Sequence, residues 1–426
     1  VHESEKASWL NTNREWASQG LRVLFFAYKV FDSNPGKLTP DHEEGLRFLG
    51  MAAMIDPPRD EVVAAIRQCK TAGIKSVMIT GDQPLTATAI ALRLGMIDSK
   101  EEHVYTGADL EKLSASAFAE EVKRTQIYAR VSPEQKLNIV KALQTNGEFV
   151  AMTGDGVNDA PSLKQADIGV AMGITGTDVS KEAADMILLD DNFATLVKAV
   201  KEGRRIYENI RKFILYVLSC NLGEILTIFF APVVGFVIPL LPIQILWINL
   251  VTDGLPGLAL VSEPAEKGIM HQPPRPPKEN LFAGGMIQKI VFTGIILAAA
   301  SLAIQWWAVD RGMDVDTQHT LVFTTLCFVQ LGNALSVRSA YHSLFSKDFF
   351  ANKSLWLAIF ITVVLQLLLI YVPFLNPIFK TTALDLTSML AVLVVTVASV
   401  VVIELLKLLT RSKRKGVNNL KKEVLA

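Results

Sequence analysis

Polar and apolar residues fall along this chain in two regimes. Through residues 1–205 charged and apolar segments alternate, whereas residues 212–408 hold several long, nearly uncharged runs. A helix that crosses a bilayer needs roughly 20 mostly apolar residues. Six stretches meet that length, near 212–232, 237–260, 287–308, 319–337, 355–376 and 385–408. The run Leu355 to Val372 carries no charge at all, which fits a span better than a buried helix of a soluble protein. The first regime reads as alternating strand and helix. Ser76–Thr80, Glu148–Thr153 and Asp167–Met172 are predicted strands; Glu61–Ala72, Pro84–Leu94 and Pro133–Gln144 are predicted helices between them. That alternation predicts a parallel sheet with ligands at the carboxyl ends of its strands. The turns Gly81-Asp82 and Gly154-Asp155 both fall at such ends.

Basic residues sort the loops. Glu266–Lys278, Arg338–Lys353 and Arg411–Lys422 are rich in Lys and Arg, whereas Pro232–Pro242, Val309–Thr320 and Pro373–Asp385 carry few. The positive-inside rule puts the basic loops, and with an even number of spans residues 1–210, in the cytoplasm. Trp306 and Trp307 then anchor the far interface. The 426 residues suggest two or three domains, and 50% hydrophobic residues run high for a soluble enzyme. With 42 basic and 42 acidic residues the chain has no net charge and implies no nucleic-acid partner. Three scattered cysteines, Cys69, Cys220 and Cys327, argue against a disulfide framework and a zinc site. The start, Val-His-Glu-Ser-Glu-Lys, has no signal-peptide pattern, so the chain reads as the end of something longer. Asp56-Pro57-Pro58 is an expected hinge, stiffened by two prolines.

Two groups of residues carry candidate chemistry. Asp155 and Asp159 flank Gly156-Val157-Asn158, and glycines at 154 and 156 let the backbone bend sharply. Two carboxylates four residues apart on such a turn suit Mg²⁺. Lys136 can neutralise a phosphoryl group, and Thr80, Gly81 and Asp82 offer a hydroxyl and backbone N–H donors to its oxygens. In the apolar region, Asn221 and Glu224 share a helix face at i, i+3, as do Asn249, Thr252 and Asp253. Gly254 and Pro256 are expected to interrupt the second span and free carbonyls for an ion. Carboxylates at membrane depth are expensive and by default functional, and this set is an oxygen-rich cage for a hard cation such as Ca²⁺. The bland alternative is that these groups only pair helices.

The stretches Asp56-Pro57-Pro58-Arg59, Met78-Ile-Thr-Gly-Asp82, Ala129-Arg130-Val131-Ser132-Pro133 with Lys136, and Met152-Thr-Gly-Asp-Gly-Val-Asn-Asp-Ala-Pro161 resemble the P-type ATPases, cation pumps phosphorylated on an aspartate. Ile243–Pro256, Asn221 with Glu224, and the loop Met270–Lys278 are similar to calcium pumps of the sarco/endoplasmic-reticulum type. The resemblance implies an α/β haloacid-dehalogenase-like (Rossmann-like) cytoplasmic domain followed by an all-α six-helix transmembrane bundle. It implies boundaries too: residues 1–55 ending a nucleotide-binding domain, 56–200 a phosphorylation domain, 201–410 stalk and membrane helices, and 411–426 a basic tail. Asp155 would ligate Mg²⁺ with Asp159 and Asn158 in support, Thr80 and Lys136 would contact the phosphoryl group, and Arg22 and Arg130 would serve ATP. The charged stretch Glu202–Lys212 would transmit shape changes as a stalk.

The sequence departs from the family in two ways. No Asp-Lys-Thr-Gly-Thr stretch or Thr-Gly-Glu loop occurs in it, so a carboxy-terminal portion of a pump is expected, inactive alone. Its partners would be membrane lipid and the amino-terminal remainder with the actuator domain, the first four membrane helices and the phosphorylated aspartate. Gln330 also stands where the reticulum-type pumps carry a glutamate, offering a ligand oxygen without a charge. The leading expectation is ATP-driven cation export, with Ca²⁺ favoured. The alternatives are a Na⁺, K⁺ or Mn²⁺ pump of the same family, or a non-catalytic membrane module.

Overall fold

The computed structural model describes residues 3–34, 36–54, 59–99, 103–338 and 349–424, with side chains from residue 5 to residue 408. The hinge expected at Asp56-Pro57-Pro58, residues 339–348 of one basic loop, and the side chains of Arg411–Lys422 lie outside what is described. The chain divides into two units, Val1–Lys201 with Gly268–Lys278, and Glu202–Lys267 with Glu279–Ala426.

In the first unit, α1 (Glu3–Ser18) precedes an antiparallel pair, β1 (Arg22–Tyr28) and β2 (Arg47–Met54). Then follow α2 (Asp60–Thr71), β3 (Met78–Ile79), α3 (Pro84–Arg93), β4 (Val104–Thr106), α4 (Gly107–Leu110), α5 (Ala115–Arg124), β5 (Ile127–Ala129) and α6 (Pro133–Thr145). The series ends with β6 (Ala151–Gly154), α7 (Ala160–Gln165), β7 (Ile168–Met172), α8 (Asp178–Ala183) and β8 (Met186–Leu188). The strands form two three-stranded parallel sheets, ordered β3-β5-β4 and β6-β7-β8. Helical crossovers make such sheets parallel, and a middle strand covered on both faces becomes wholly apolar. In β5, accordingly, Ile127, Tyr128 and Ala129 are all buried. Local chemistry starts α6: Ser132 Oγ accepts the Gln135 N–H at 3.3 Å, and Gln135 Oε1 accepts the Ser132 N–H at 2.9 Å. Pro133 fills the first helical position, where no N–H is needed. The segment 268–278, although flanked by membrane helices in sequence, belongs to this unit. Ile269 and Met270 are buried, and a Cβ on Gly73 (φ +68°) would meet Pro274 at 3.0 Å and Pro273 at 3.1 Å.

The second unit is helical. A 41-residue helix, α9 (Phe193–Val233), runs across the unit boundary and contains the charged stretch Glu202–Lys212 within one continuous helix. The next span is broken: α10 (Pro242–Trp247), a π-helical turn over Ile248–Thr252, then α11 (Gly254–Val261). The remainder are α12 (Met286–Asp310), α13 (Val315–Val337), α14 (Lys353–Tyr371), α15 (Asn376–Phe379) and α16 (Leu386–Val424). Among the described residues, six helices are long and apolar enough to cross a membrane. The predicted second span began at 237, yet its helix starts at Pro242, because hydropathy registers the apolar residues 237–241 without registering that they are not helical. Helix α13 is central, with 89% of its apolar window buried, against 17% for α16. Glycines bring helices close: a Cβ on Gly294 of α12 would lie 2.8 Å from Leu222 of α9, the small-residue packing that membrane helices favour.

Candidate functional sites

The first site is the turn after β6. Asp159 is 7% exposed. Its Oδ2 accepts the N–H groups of Gly156 at 3.2 Å and Asp155 at 3.4 Å, which closes the turn. Its Oδ1 accepts the Lys136 ammonium at 2.7 Å. Both oxygens of Asp159 are thus engaged, whereas Asp155 and Asn158 are exposed. The Asp155 carbonyl accepts the Thr177 N–H at 2.9 Å and the Ser180 hydroxyl at 3.1 Å, tying the turn to the start of α8. Gly154 is glycine for a steric reason: a Cβ there would lie 2.5 Å from Asp159 Cβ.

Thr80, at the end of β3, organises the neighbouring turn. Its hydroxyl donates to Asp82 Oδ2 at 3.0 Å and accepts the Asp82 N–H at 3.1 Å. The Arg130 N–H donates to the Asp82 carbonyl at 3.1 Å. Arg130 itself sits at φ +51°, a left-handed conformation uncommon for a residue with a side chain, and projects an exposed guanidinium. Gly81 is exposed beside it. Among the described residues no hydrogen bond joins the Thr80 turn to the Asp155 turn. Arg22 is exposed at the first position of β1, and no described hydrogen bond ties it to either turn.

The second site lies in the helical unit. Glu224 is 4% and Asp253 3% exposed. Glu224 accepts Asn249 Nδ2 at 3.2 Å and Gln330 Nε2 at 2.9 Å. The π-turn gives the Asp253 N–H an i−5 partner, the Ile248 carbonyl at 2.8 Å. Pro256 has no N–H for the carbonyl four residues before it, that of Thr252. The Tyr216 hydroxyl lies 3.1 Å from that carbonyl and 3.1 Å from Asp253 Oδ1, sharing one proton between them. Asp253 Oδ2, Gln330 Oε1 and Asn333 Oδ1 are buried acceptors with no hydrogen-bond partner among the described residues. Asn221 is half-buried and makes no described side-chain hydrogen bond. The break was anticipated at Gly254 and Pro256; the structure puts it one turn earlier, and π-turns of this kind cluster at functional sites.

A family model described as "Cation transporting ATPase, C-terminus" matches residues 237–409, and two described as haloacid dehalogenase-like hydrolase match 7–167 and 135–200. "Calcium-transporting ATPase 1" of Bacillus cereus is 45% identical over 423 residues, 95% of this chain and 47% of that protein. "Calcium-transporting ATPase" of Bacillus subtilis is 48% identical over 372 residues, 87% of this chain and 42% of that protein. "Probable cation-transporting ATPase F" of Mycobacterium tuberculosis is 41% identical over 411 residues, 96% of this chain and 45% of that protein. This chain belongs to the cation-transporting ATPases. It spans about half the length of the curated relatives it matches. The haloacid-dehalogenase-like region carries the Asp155 and Thr80 turns, and the six apolar helices among the described residues, in a chain of this family, mark a multi-pass integral membrane protein.

Sequence reasoning missed Tyr216, which reads as ordinary apolar packing in a membrane helix. A signal was present: Tyr216, Cys220 and Glu224 recur at i, i+4, i+8 and so share one face. It also missed Glu263. That carboxylate, 7% exposed, accepts Arg338 Nη2 at 3.0 Å and Asn352 Nδ2 at 2.7 Å, and the Glu263 carbonyl accepts Asn209 Nδ2 at 2.7 Å.

Proposed function

We propose that the protein containing this chain is an ATP-driven cation pump working through an aspartyl phosphate, with Ca²⁺ as its cargo. The observation that carries this reading is the buried carboxylate pair Glu224 and Asp253 inside a membrane-crossing bundle, with Asp253 Oδ2 and the nearby amide oxygens of Gln330 and Asn333 buried and unpartnered among the described residues. Burying charge and unpaired oxygens there is costly unless they serve an ion. Asn249 and Gln330 now turn N–H groups toward Glu224. A cation entering beside that carboxylate is met by rotated amide oxygens, which suits a hard, flexibly coordinated ion.

The Asp155 turn supports phosphoryl chemistry. Asp155 and Asn158, exposed oxygen donors on a closed turn, are the groups to hold Mg²⁺, with Asp159 holding the turn and Lys136. Mg²⁺ there supplies charge neutralisation to a phosphoryl group. Lys136 and the Thr80 hydroxyl balance the same oxygens, and Arg130 and Arg22 serve the nucleotide. Strands β3 and β6 each pair on one side only, and each is followed directly by a site residue, Thr80 and Asp155. A strand from the amino-terminal remainder, bearing the aspartate that receives phosphate, joins the two sheets in this reading. The soluble unit then lies in the cytoplasm.

The test is ATP hydrolysis by the full-length protein. Ca²⁺ stimulation that disappears in Asp253→Asn supports the reading. Stimulation by Na⁺, K⁺ or Mn²⁺ alone, or an Asp253→Asn variant with wild-type Ca²⁺ response, overturns it.

A further inference from the structure

Glu263 joins the three helices that carry candidate cation ligands. It lies two residues beyond α11, the half-helix that Asp253 opens. The Arg338 guanidinium, directly after α13, donates to both carboxylate oxygens, through Nε at 3.2 Å and Nη2 at 3.0 Å. From α9, Asn209 Nδ2 donates to the Glu263 carbonyl at 2.7 Å and the Val261 carbonyl at 3.0 Å, and Arg205 Nη1 donates to the Glu263 carbonyl at 3.2 Å. Asn352 Nδ2 donates to the carboxylate at 2.7 Å and to the Ala259 carbonyl at 3.0 Å, while its Oδ1 caps α14 by accepting the Leu355 N–H at 2.9 Å. Glu263, Asn209, Arg338 and Asn352 are all buried. Asn209 stands fifteen residues before Glu224, Glu263 ten after Asp253, and Arg338 eight after Gln330.

The last carbonyls of a helix lack a partner in the next turn and must find one elsewhere. Here side chains from α9 and the start of α14 take the carbonyls of Ala259, Val261 and Glu263, so that end of α11 is fixed. The other end is set off from α10 by the π-turn over Ile248–Thr252. Between the two, α11 is eight residues, about 12 Å of rise, short enough to move as one piece. The placement of Asp253 is therefore set where α11 is clamped. As a mere staple the cluster is a poor choice, because desolvation offsets much of a buried pair's attraction and apolar packing often holds helices as well. Register is what it adds, since these hydrogen bonds lose their geometry when helices slide.

We propose that Glu263 is a positioning residue for cation binding: through Arg338 and Asn209 it holds the register of Asp253, at the head of α11, against Gln330 on α13 and Glu224 on α9. The inference rests on the reading of Glu224 and Asp253 as cation ligands. Glu263 acts through these neighbours and touches no ion, its carboxylate being engaged by Arg338 and Asn352.

The test is ATP hydrolysis by the full-length protein, titrated with Ca²⁺, Na⁺, K⁺ and Mn²⁺ and read as the half-activating concentration apart from the maximal rate. For the cation that stimulates wild type, Glu263→Gln is expected to raise that concentration about 10-fold, while the maximal rate per folded protein changes far less. Asn209→Ala alters no charge and is expected to move it the same way, which a long-range field cannot imitate. Arg338→Lys keeps the charge without the forked contact and reads the same shift if Glu263→Gln does not fold. Glu404→Gln is the control. That buried carboxylate accepts Lys407 at 3.1 Å and the Ser336 hydroxyl, and so joins α13 to α16, which carries no candidate ligand. It is expected to lower thermal stability and leave the half-activating concentration in place. An unmoved concentration in folded Glu263→Gln or Asn209→Ala overturns the inference, as does an equal shift in Glu404→Gln. Ca²⁺ stimulation of wild type with unmoved variants sinks this inference and leaves the calcium pump. Stimulation by another cation with the shifts present does the reverse, and a wild type that no cation stimulates sinks both.

Discussion

Lys136 and Asp159, 23 residues apart in sequence, meet at 2.7 Å, and the far oxygen of Asp159 holds the backbone of the Asp155 turn. One carboxylate therefore sets both the position of the ammonium and the shape of the turn. Their side chains are only 18% and 9% exposed. Removing one partner of a mostly buried pair leaves an uncompensated charge. Lys136→Ala is expected to cost about 2–4 kcal/mol of stability in the soluble unit and to lower phosphorylation of the full-length protein by ATP about 100-fold or more. Thermal unfolding and radiolabelled phosphate incorporation measure the two effects separately.

Gly154→Ala tests the same turn without touching a charge. The new methyl would lie 2.5 Å from Asp159 Cβ, so Asp159 must shift and Lys136 with it. A destabilisation of about 1–3 kcal/mol is expected from overpacking. Phosphorylation should fall as well, although every charged group remains. Phosphate incorporation at wild-type level in a folded Gly154→Ala protein would count against the turn as the element that places Lys136.

Acid should loosen the soluble unit at Asp191. Partial burial works to raise its carboxyl, but the N–H groups of Ile174 at 2.9 Å and Thr175 at 2.8 Å, with the Thr175 hydroxyl, outweigh that and hold it at about 2. An unfolded aspartate titrates near about 3.9. The folded value is the lower one, so the unfolded chain binds the proton first. Stability from this group is complete above pH about 4 and is lost as pH falls toward about 2. Asp191→Asn keeps a residue that tolerates the φ of +49°. It should unfold at lower temperature than wild type at pH 6, and the gap should close by pH about 2. A gap that persists unchanged at acid pH would exclude the carboxylate as its source.

The membrane helices were legible because an uncharged apolar run of span length rarely folds as anything but a membrane helix. Pairings across the chain were not. Glu263 and Arg338 are 75 residues apart, and nothing local marks them as partners. The three-residue strands β4, β5 and β8 were also lost, since so few residues show no period. The Asp155 turn was legible through its glycines, but not that Asp159 spends both oxygens inside the protein. The π-turn escaped because Gly254 and Pro256 mark a weak helix without saying where the extra residue goes.

Arg338→Ala is expected to leave the Glu263 carboxylate with Asn352 as its side-chain donor in a site where both Glu263 and Arg338 are 7% exposed. The loss should approach about 3–5 kcal/mol, the range for breaking a buried pair from one side. Arg338→Lys cannot reproduce the contacts that Nε and Nη2 make with the two Glu263 oxygens, and should recover only part. Detergent thermal-shift measurements on the two variants give the ordering; equal midpoints for Ala and wild type would remove the pair from the stability of this unit.

Tyr216→Phe isolates a single hydroxyl beside the buried Asp253 carboxylate. The ring stays and the packing of α9 is kept, so only the contacts to the Thr252 carbonyl and Asp253 Oδ1 disappear. Pro256 cannot supply a replacement donor to that carbonyl, and the site is closed to bulk water, Tyr216 being 0% exposed. An unsatisfied buried acceptor costs about 1–3 kcal/mol. In the protein without cation that cost falls on the fold. With a cation bound, the freed carbonyl and carboxylate oxygens can turn to the ion instead, which offsets part of it. The variant should therefore be destabilised when cation-free and regain more thermal stability on adding Ca²⁺ than wild type does. Equal Ca²⁺-induced shifts in the two proteins would mean that Tyr216 only packs helices and takes no part in shaping the cation site.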